Sequence, residues 1–159
     1  MGVASDILRA YAAPREVFRA RAGEQPREDR ALVILMVACL LIFVGRWPAL
    51  QREAIETGNE FEMLVGATLL AWLFIMPLVA YAVGTISHLI ARPFGGGGSA
   101  YSARFALFWA LLVASPLWLL AGLTEGFTGP GLQTRIVGAV ALLAFILHWG
   151  INLSVAERR

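Results

Sequence analysis

Four stretches without a single charged residue occupy most of this chain and decide what it can fold into. They run over 31–45, 63–91, 105–124 and 136–156, and their most apolar parts lie at roughly 31–45, 63–86, 105–123 and 136–151. A helix needs about 20 apolar residues to cross a bilayer core of about 30 Å, so each stretch is close to the length of one span. We therefore predict an all-α, polytopic transmembrane helical bundle of about four spans, with five spans as the alternative.

The composition agrees with a membrane class and leaves room for one domain. The chain has 159 residues, of which 58% are hydrophobic and 15% are charged. Soluble domains average about 45–50% apolar and about 25% charged residues. We predict a cytosolic, amphipathic and polar lead-in over 1–30, a transmembrane helical domain over 31–156 and a short cytosolic tail over 157–159.

The lead-in is predicted to contain two short amphipathic helices. Ile7, Leu8 and Tyr11 lie on one side of the first helix, and Pro14 opens the second at a position where its missing N–H costs nothing. Apolar residues beside arginines suit a helix lying on an anionic membrane surface, but they equally suit a helix packed against the bundle. The sequence leaves both interpretations open.

The boundaries of the first two spans are less clear than their existence. We expect Arg46 and Trp47 to end the first span, with Pro48 and a solvated polar stretch after it. The segment from 62 to 91 would measure about 45 Å as one helix, which exceeds the bilayer core. It should therefore tilt, bend near Pro77 or project, and one long helix or two shorter elements both remain possible. Glu125, beyond the third span, is expected to be solvated.

Small residues recur at helical spacing in three spans, which favours close helix packing in lipid. These candidate packing residues are Ala80, Gly84 and Ser87 in the second span, Ala106, Ala110 and Ala114 in the third, and Gly138 and Ala141 in the fourth. Leu112 is expected on another face of the third span. His148 and Asn152 continue the fourth stripe, so we predict a polar interaction face there, most simply an interhelical hydrogen bond.

No catalytic, cofactor-binding or metal-binding residues are predicted. The two histidines lie on different spans without a cysteine or acidic residue near them in sequence, whereas metal sites use three or four ligands. The glycine run at 95–99 lacks the lysine and the preceding strand of a phosphate loop, so a flexible turn is expected. No basic stripe alternates with aromatic residues, which argues against nucleic acid as a partner.

One block of sequence resembles a known family. Pro77, Tyr81, Gly84 and His88 on one helix are followed by RPFGGGGSAYSARFALFWALLVASP, and the lead-in contains ILRAYAAPREVFRARA. Together these segments resemble bacterial members of the Yip1 domain family of membrane proteins. The resemblance covers most of the chain and implies a helical membrane bundle without established catalytic residues. That family is usually described with about five spans, and its eukaryotic members are associated with small GTPases and vesicle traffic.

The distribution of arginine predicts the orientation. Six of the 13 basic residues precede residue 31, and all 13 are arginine, as expected from a GC-rich bacterial genome. The first loop instead carries four carboxylates, Glu53, Glu56, Glu60 and Glu62. The positive-inside rule then places both termini in the cytosol. We expect a multi-pass protein of the bacterial inner membrane.

Two functions of different classes follow from these features. The first is a non-enzymatic integral membrane protein that binds or organises other membrane proteins, with membrane lipids around it, a homo-oligomer as one form, and a place in a larger complex. The alternative is a small transporter or channel-like protein, in which Pro77 and Pro116 break their helices beside the polar pair. A membrane enzyme ranks last, because no cluster of reactive groups is visible.

Overall fold

The protein is a bundle of four long helices with a short helical pair at its N-terminus. The structure, a computed structural model, describes residues 2–23 and 25–158, and over these the chain forms helices and no strand. The elements are α1 (Val3–Ala12), α2 (Pro14–Ala22), α3 (Glu28–Thr57), α4 (Phe61–Phe94), α5 (Ala100–Thr128) and α6 (Leu132–Ala156). The last four are each long and apolar enough to cross a membrane. The predicted all-α bundle is confirmed, with four such helices in the described residues and not five.

Successive long helices run in opposite directions, as their short connections require. Ion pairs mark the two ends of the bundle. Arg104 of α5 pairs with Glu28 of α3 where both helices begin, and we call this the terminal end because α6 also ends there. At the other end, called the far end, the Arg46 Nη1 atom lies 2.6 Å from the Glu125 Oε2 atom. Glu125, which was expected to be solvated, is therefore the partner of a cation on α3.

α5 is the centre of the bundle. Two-thirds (67%) of its most apolar window is buried, compared with 44% for α3, 17% for α6 and 11% for α4. Every residue from 105 to 115 is buried. Ala106, Ala110 and Ala114 are fully buried, but Leu112 is also only 1% exposed. Leu112 lies on another face of α5, as expected, but that face is buried as well, because neighbouring elements surround α5 over this length.

α3 and α5 touch backbone to backbone near the far end. A Cβ atom on Gly122 would run into the carbonyl oxygen of Gly45, and one on Gly126 would run into Pro48. Such glycines let two helices approach more closely than any side chain would allow. The crossing also explains why α3 does not end at Trp47 as expected. The helix continues through Pro48 because the residues after it are buried against the bundle, Ala49 at 5% and Leu50 at 4% exposure.

α4 is one continuous helix with an irregular turn in it. An α-helical part over Phe61–Leu70 passes into a π-helical turn over Ala71–Ile75 and then back to α-helix over Met76–Ala91. Pro77 has no N–H to donate back along the helix, and the wide turn just before it accommodates that loss. The open choice for this segment is thereby decided in favour of one long helix.

The glycine-rich turn between α4 and α5 is packed against the end of α6. The Gly97 N–H donates to the Glu157 carbonyl oxygen at 2.8 Å, and a Cβ on Gly98 would meet the Ala156 carbonyl. Ser99 then caps α5, since its hydroxyl accepts from the Ser102 N–H at 3.1 Å. The segment is a turn between spans, as predicted, but these contacts hold it in place, so the expected flexibility is not supported.

We predict that Gly122→Ala destabilises the isolated protein in detergent. The added methyl group meets backbone atoms of Gly45, which cannot move without shifting α3, and such overpacking costs about 1–3 kcal/mol. Gly138→Ala is the matched control, since no atom lies within 4 Å of its Cβ position. The melting temperature should therefore fall for Gly122→Ala and stay level or rise for the control. Equal melting temperatures would mean that α3 and α5 do not touch at Gly122.

Candidate functional site

The two N-terminal helices fold back on each other and pack onto α5 and α6. We call residues 3–22 the N-terminal hairpin. Arg21 Nε on α2 donates to Asp6 Oδ2 on α1 at 2.7 Å, and Asp6 is only 7% exposed. Val17 and Phe18 are buried on the inner side of α2. The sequence left open whether these helices lie on a membrane surface or pack against the bundle. Their inner face packs against the bundle.

The hairpin covers a stripe of aromatic side chains on α5. Phe18 lies 6.0 Å from Phe105 between ring centroids, and the Arg21 guanidinium carbon lies 5.7 Å from the centre of the Trp109 ring. Phe105 and Trp109 are one helical turn apart, so they present one face. The Arg21 charge is thus balanced by a carboxylate on one side and by an aromatic ring on the other.

The tip of the hairpin reaches the point where a proline interrupts the hydrogen bonding of α5. Pro116 has no N–H, so the carbonyl of Leu112 loses its usual helical partner. The Ser115 hydroxyl donates to that carbonyl at 2.8 Å, and the Tyr11 hydroxyl donates to the next one, Val113, at 2.7 Å. A phenol is protonated at neutral pH, so the Tyr11 hydroxyl is available as the donor.

His148 bridges the hairpin and α6. Its Nδ1 atom lies 2.8 Å from the Ala144 carbonyl oxygen, and its Nε2 atom lies 3.3 Å from the Ala10 carbonyl oxygen. Ala10 is in the last turn of α1, where helical carbonyls lack partners of their own. The Tyr11 ring meets the imidazole edge-on at 5.0 Å. A neutral imidazole has one N–H and donates to one of the two carbonyls at a time, whereas an imidazolium donates to both.

Asn152 lies one turn further along α6 and is also enclosed. It is 1% exposed, and its Nδ2 atom lies 3.5 Å from the Ala106 carbonyl oxygen on α5. Its Oδ1 atom has no hydrogen-bond partner among the described residues. The structure therefore places both polar residues of the predicted face against protein within this chain.

The candidate packing residues divide into those that touch a neighbour and those that do not. On α4, Ala80 is 5% exposed, a Cβ on Gly84 would lie 2.9 Å from the Arg104 Cα, and Ser87 is partly buried and donates to the Val83 carbonyl. On α6, Ala141 is fully buried. Gly138 is different, since no atom lies within 4 Å of its Cβ position. It shares a sequence stripe with Ala141 but has no neighbour at its Cβ position within the chain.

One buried polar pair was missed by the sequence analysis. The His88 Nδ1 atom lies 2.9 Å from the Glu157 Oε1 atom, with side chains 12% and 9% exposed. The pair joins the end of α4 to the end of α6. The residues are 69 positions apart and Glu157 was assigned to the tail, so no local pattern indicated the contact. Among the described residues, no three His, Cys, Asp or Glu side chains come together as a metal site would require.

Comparisons with known proteins return no match to a family model, to a curated protein or to a solved structure.

We predict that Tyr11→Phe loosens the N-terminal hairpin. The change removes one partly buried hydrogen bond, worth about 1 kcal/mol, and keeps the ring against His148. Limited trypsin digestion in detergent should then cleave faster at the hairpin arginines. Tyr101→Phe is the matched control, because its hydroxyl makes only an exposed contact of 3.4 Å with the Arg27 carbonyl oxygen. Equal cleavage rates in the two variants would contradict a role for the Tyr11 hydroxyl.

Proposed function

We propose that this chain is a non-enzymatic integral membrane protein that binds or organises other membrane proteins, as an accessory component of a membrane complex. The binding surface is formed by the outward faces of α4 and α6. The observation that carries the proposal is a set of glycines in these two spanning helices that the packing of the chain itself does not require.

Within α4 and α6, three glycines have no atom of a neighbouring element within 4 Å of the position a Cβ would occupy. They are Gly66 on α4 and Gly138 and Gly150 on α6. A glycine inside a helix costs roughly 0.5–1 kcal/mol relative to alanine, so it needs a reason. Elsewhere in the bundle Gly84 and Gly122 have one, since another backbone lies against them. Close approach by a helix of another protein would supply the same reason for the outward glycines.

The low burial of α4 and α6 also supports their outward faces as the binding surface. Only 11% of the most apolar window of α4 and 17% of that of α6 are buried within the chain, although both helices are as apolar as α3 and α5. Lipid alone accounts for the large apolar side chains on these faces, such as Phe74 and Leu147. It does not account for glycine, because lipid gains nothing from close access to a backbone. A protein partner accounts for both.

Two observations weigh against the transporter or channel alternative. That function would use Pro77 and Pro116 to break helices around a site, but α4 and α5 remain helical through these prolines. The polar pair His148 and Asn152 lies against carbonyls of the chain itself, beneath the hairpin. The resemblance to the Yip1 domain family is consistent with a non-catalytic membrane bundle, and it forms part of this proposal.

We further propose that the protein resides in the bacterial inner membrane with the terminal end in the cytosol. The support is the arginine-rich N-terminal region opposed to the acidic first loop. A reporter fused after residue 159 should give a cytosolic signal, and a fusion ending at Gly129 should give a periplasmic signal. A periplasmic signal after residue 159 would overturn this orientation.

We predict that Gly150→Leu abolishes partner binding without unfolding the protein. No atom of a neighbouring element lies within 4 Å of a Cβ position here, so a side chain has room to start outward and the melting temperature in detergent should stay within the range of the wild type. The partner helix would lose its close approach, and its recovery by affinity purification from mild detergent should fall at least tenfold. Leu147→Ile, on the same exposed face, is the matched control and should retain the partner. Full recovery with Gly150→Leu and Gly66→Leu would refute these binding faces.

A further inference from the structure

We infer that the N-terminal hairpin is a re-entrant element that dips into the bilayer and binds lipid with its outward face. This placement differs from the cytosolic lead-in expected for residues 1–30. It follows from the depth at which the hairpin contacts α5 and α6, and from the side chains that it presents at that depth.

The two interhelical ion pairs locate the apolar core of the membrane along α5. Arg104 pairs with Glu28 at the terminal end, and Glu125 pairs with Arg46 at the far end. Arg104 and Glu125 are 21 residues apart, which is about 31 Å of helix at 1.5 Å per residue. A bilayer core measures about 30 Å. The charged pairs thus lie at the two edges of the core, and α5 crosses it between them.

The tip of the hairpin lies near the middle of this interval. The Tyr11 hydroxyl bonds to the carbonyl of Val113, nine residues beyond Arg104 and so about 13 Å from the edge. His148, which contacts the Ala10 carbonyl, is likewise nine residues from Glu157 at the terminal end. Two different helices therefore give the same depth for the hairpin tip.

The charged side chains on the inner side of the hairpin are paired, as burial within the membrane requires. Asp6 is 7% exposed and pairs with Arg21, whose guanidinium also lies over the Trp109 ring. Ionisable groups at such depth are tolerated when they pair and face protein. Beside Arg9, which lies 3.8 Å from Asp6, the outward side of α1 carries three large apolar side chains, with exposures of 45% for Val3, 74% for Leu8 and 44% for Tyr11. In water these side chains would be unfavourably exposed, whereas against acyl chains they are favourable.

The outward side of α2 suits the lipid headgroups. Arg15 and Arg19 are exposed there, one turn apart, with Glu16 beside the first. A long arginine side chain can keep its stem in the apolar layer and extend its guanidinium to the phosphates at the surface. The lipid that fits the hairpin therefore has acyl chains along α1 and an anionic phosphate headgroup at the terminal edge of the core, towards which α2 runs from its start at the tip.

Spin labelling in vesicles tests the depth. In a Cys39→Ala background, a nitroxide at Leu8→Cys or Ala12→Cys should be more accessible to oxygen, which concentrates in the bilayer, than to a water-soluble nickel chelate. Ile55→Cys is the control, since Ile55 is 79% exposed beyond the ion pair of the far end and should favour the nickel chelate. Neither Leu8 nor Ala12 is buried, so the labels should not disturb the fold. Preference for the nickel chelate at both hairpin positions would overturn the inference.

Melting in mixed micelles tests the headgroup contact separately. Phosphatidylglycerol should raise the melting temperature of the wild type more than phosphatidylcholine does. Arg19→Gln, one turn nearer the terminal edge than Arg15, should lose about half of that difference, and Arg158→Gln, an equal change of charge in the exposed tail, should keep it. Equal gains for Arg19→Gln and the wild type would overturn the assignment of the anionic headgroup to α2. Neither experiment involves a protein partner, so both outcomes are independent of the proposed function.

Discussion

The burial of α5 on all sides over residues 105–115 is the constraint on which the rest of the structure depends. Helices in lipid gain no hydrophobic free energy from association, so contact must come from close packing and from internal hydrogen bonds. α5 supplies both, since it meets α3 through Gly122, α4 through Arg104 against Gly84, and α6 through Ala106. Each of these neighbouring helices is therefore held in place by its contact with α5. The outward faces of α4 and α6 remain free because no further helix of the chain covers them.

The proline of α5 links this packing to the N-terminal hairpin. Pro116 would leave a backbone carbonyl without a partner in a medium that offers no water, and such a group is costly. The side chain of Ser115 satisfies that carbonyl, and Tyr11 reaches the next one. His148 then holds the end of α1 by its carbonyl. The interruption in the central helix thus becomes the point at which a segment from outside the four spans is attached.

The sequence predicted the helices well and their contacts only in part, for a physical reason. Charge-free stretches report directly on the cost of burying charge in lipid, so the four spans could be located without a structure. Composition hardly distinguishes an apolar face that packs against protein from one that contacts lipid, because both surroundings are apolar. For that reason the sequence could not show that the face of Leu112 is buried within the chain, or that Gly138 has no neighbour in it. The continuation of α3 through Pro48 and the pair of His88 with Glu157 depend on residues far apart in sequence, and no local pattern reports them.

Photolabelling from within the membrane tests the central position of α5 most directly. A lipid-soluble diazirine, activated in vesicles that hold the purified protein alone and mapped by mass spectrometry, inserts into side chains that contact acyl chains. The structure predicts dense labelling along α4 and α6, with Phe74 and Leu147 among the modified residues, and almost none over residues 105–115. Labelling of 105–115 at a density equal to that of α4 would contradict the arrangement, because α5 would then face lipid.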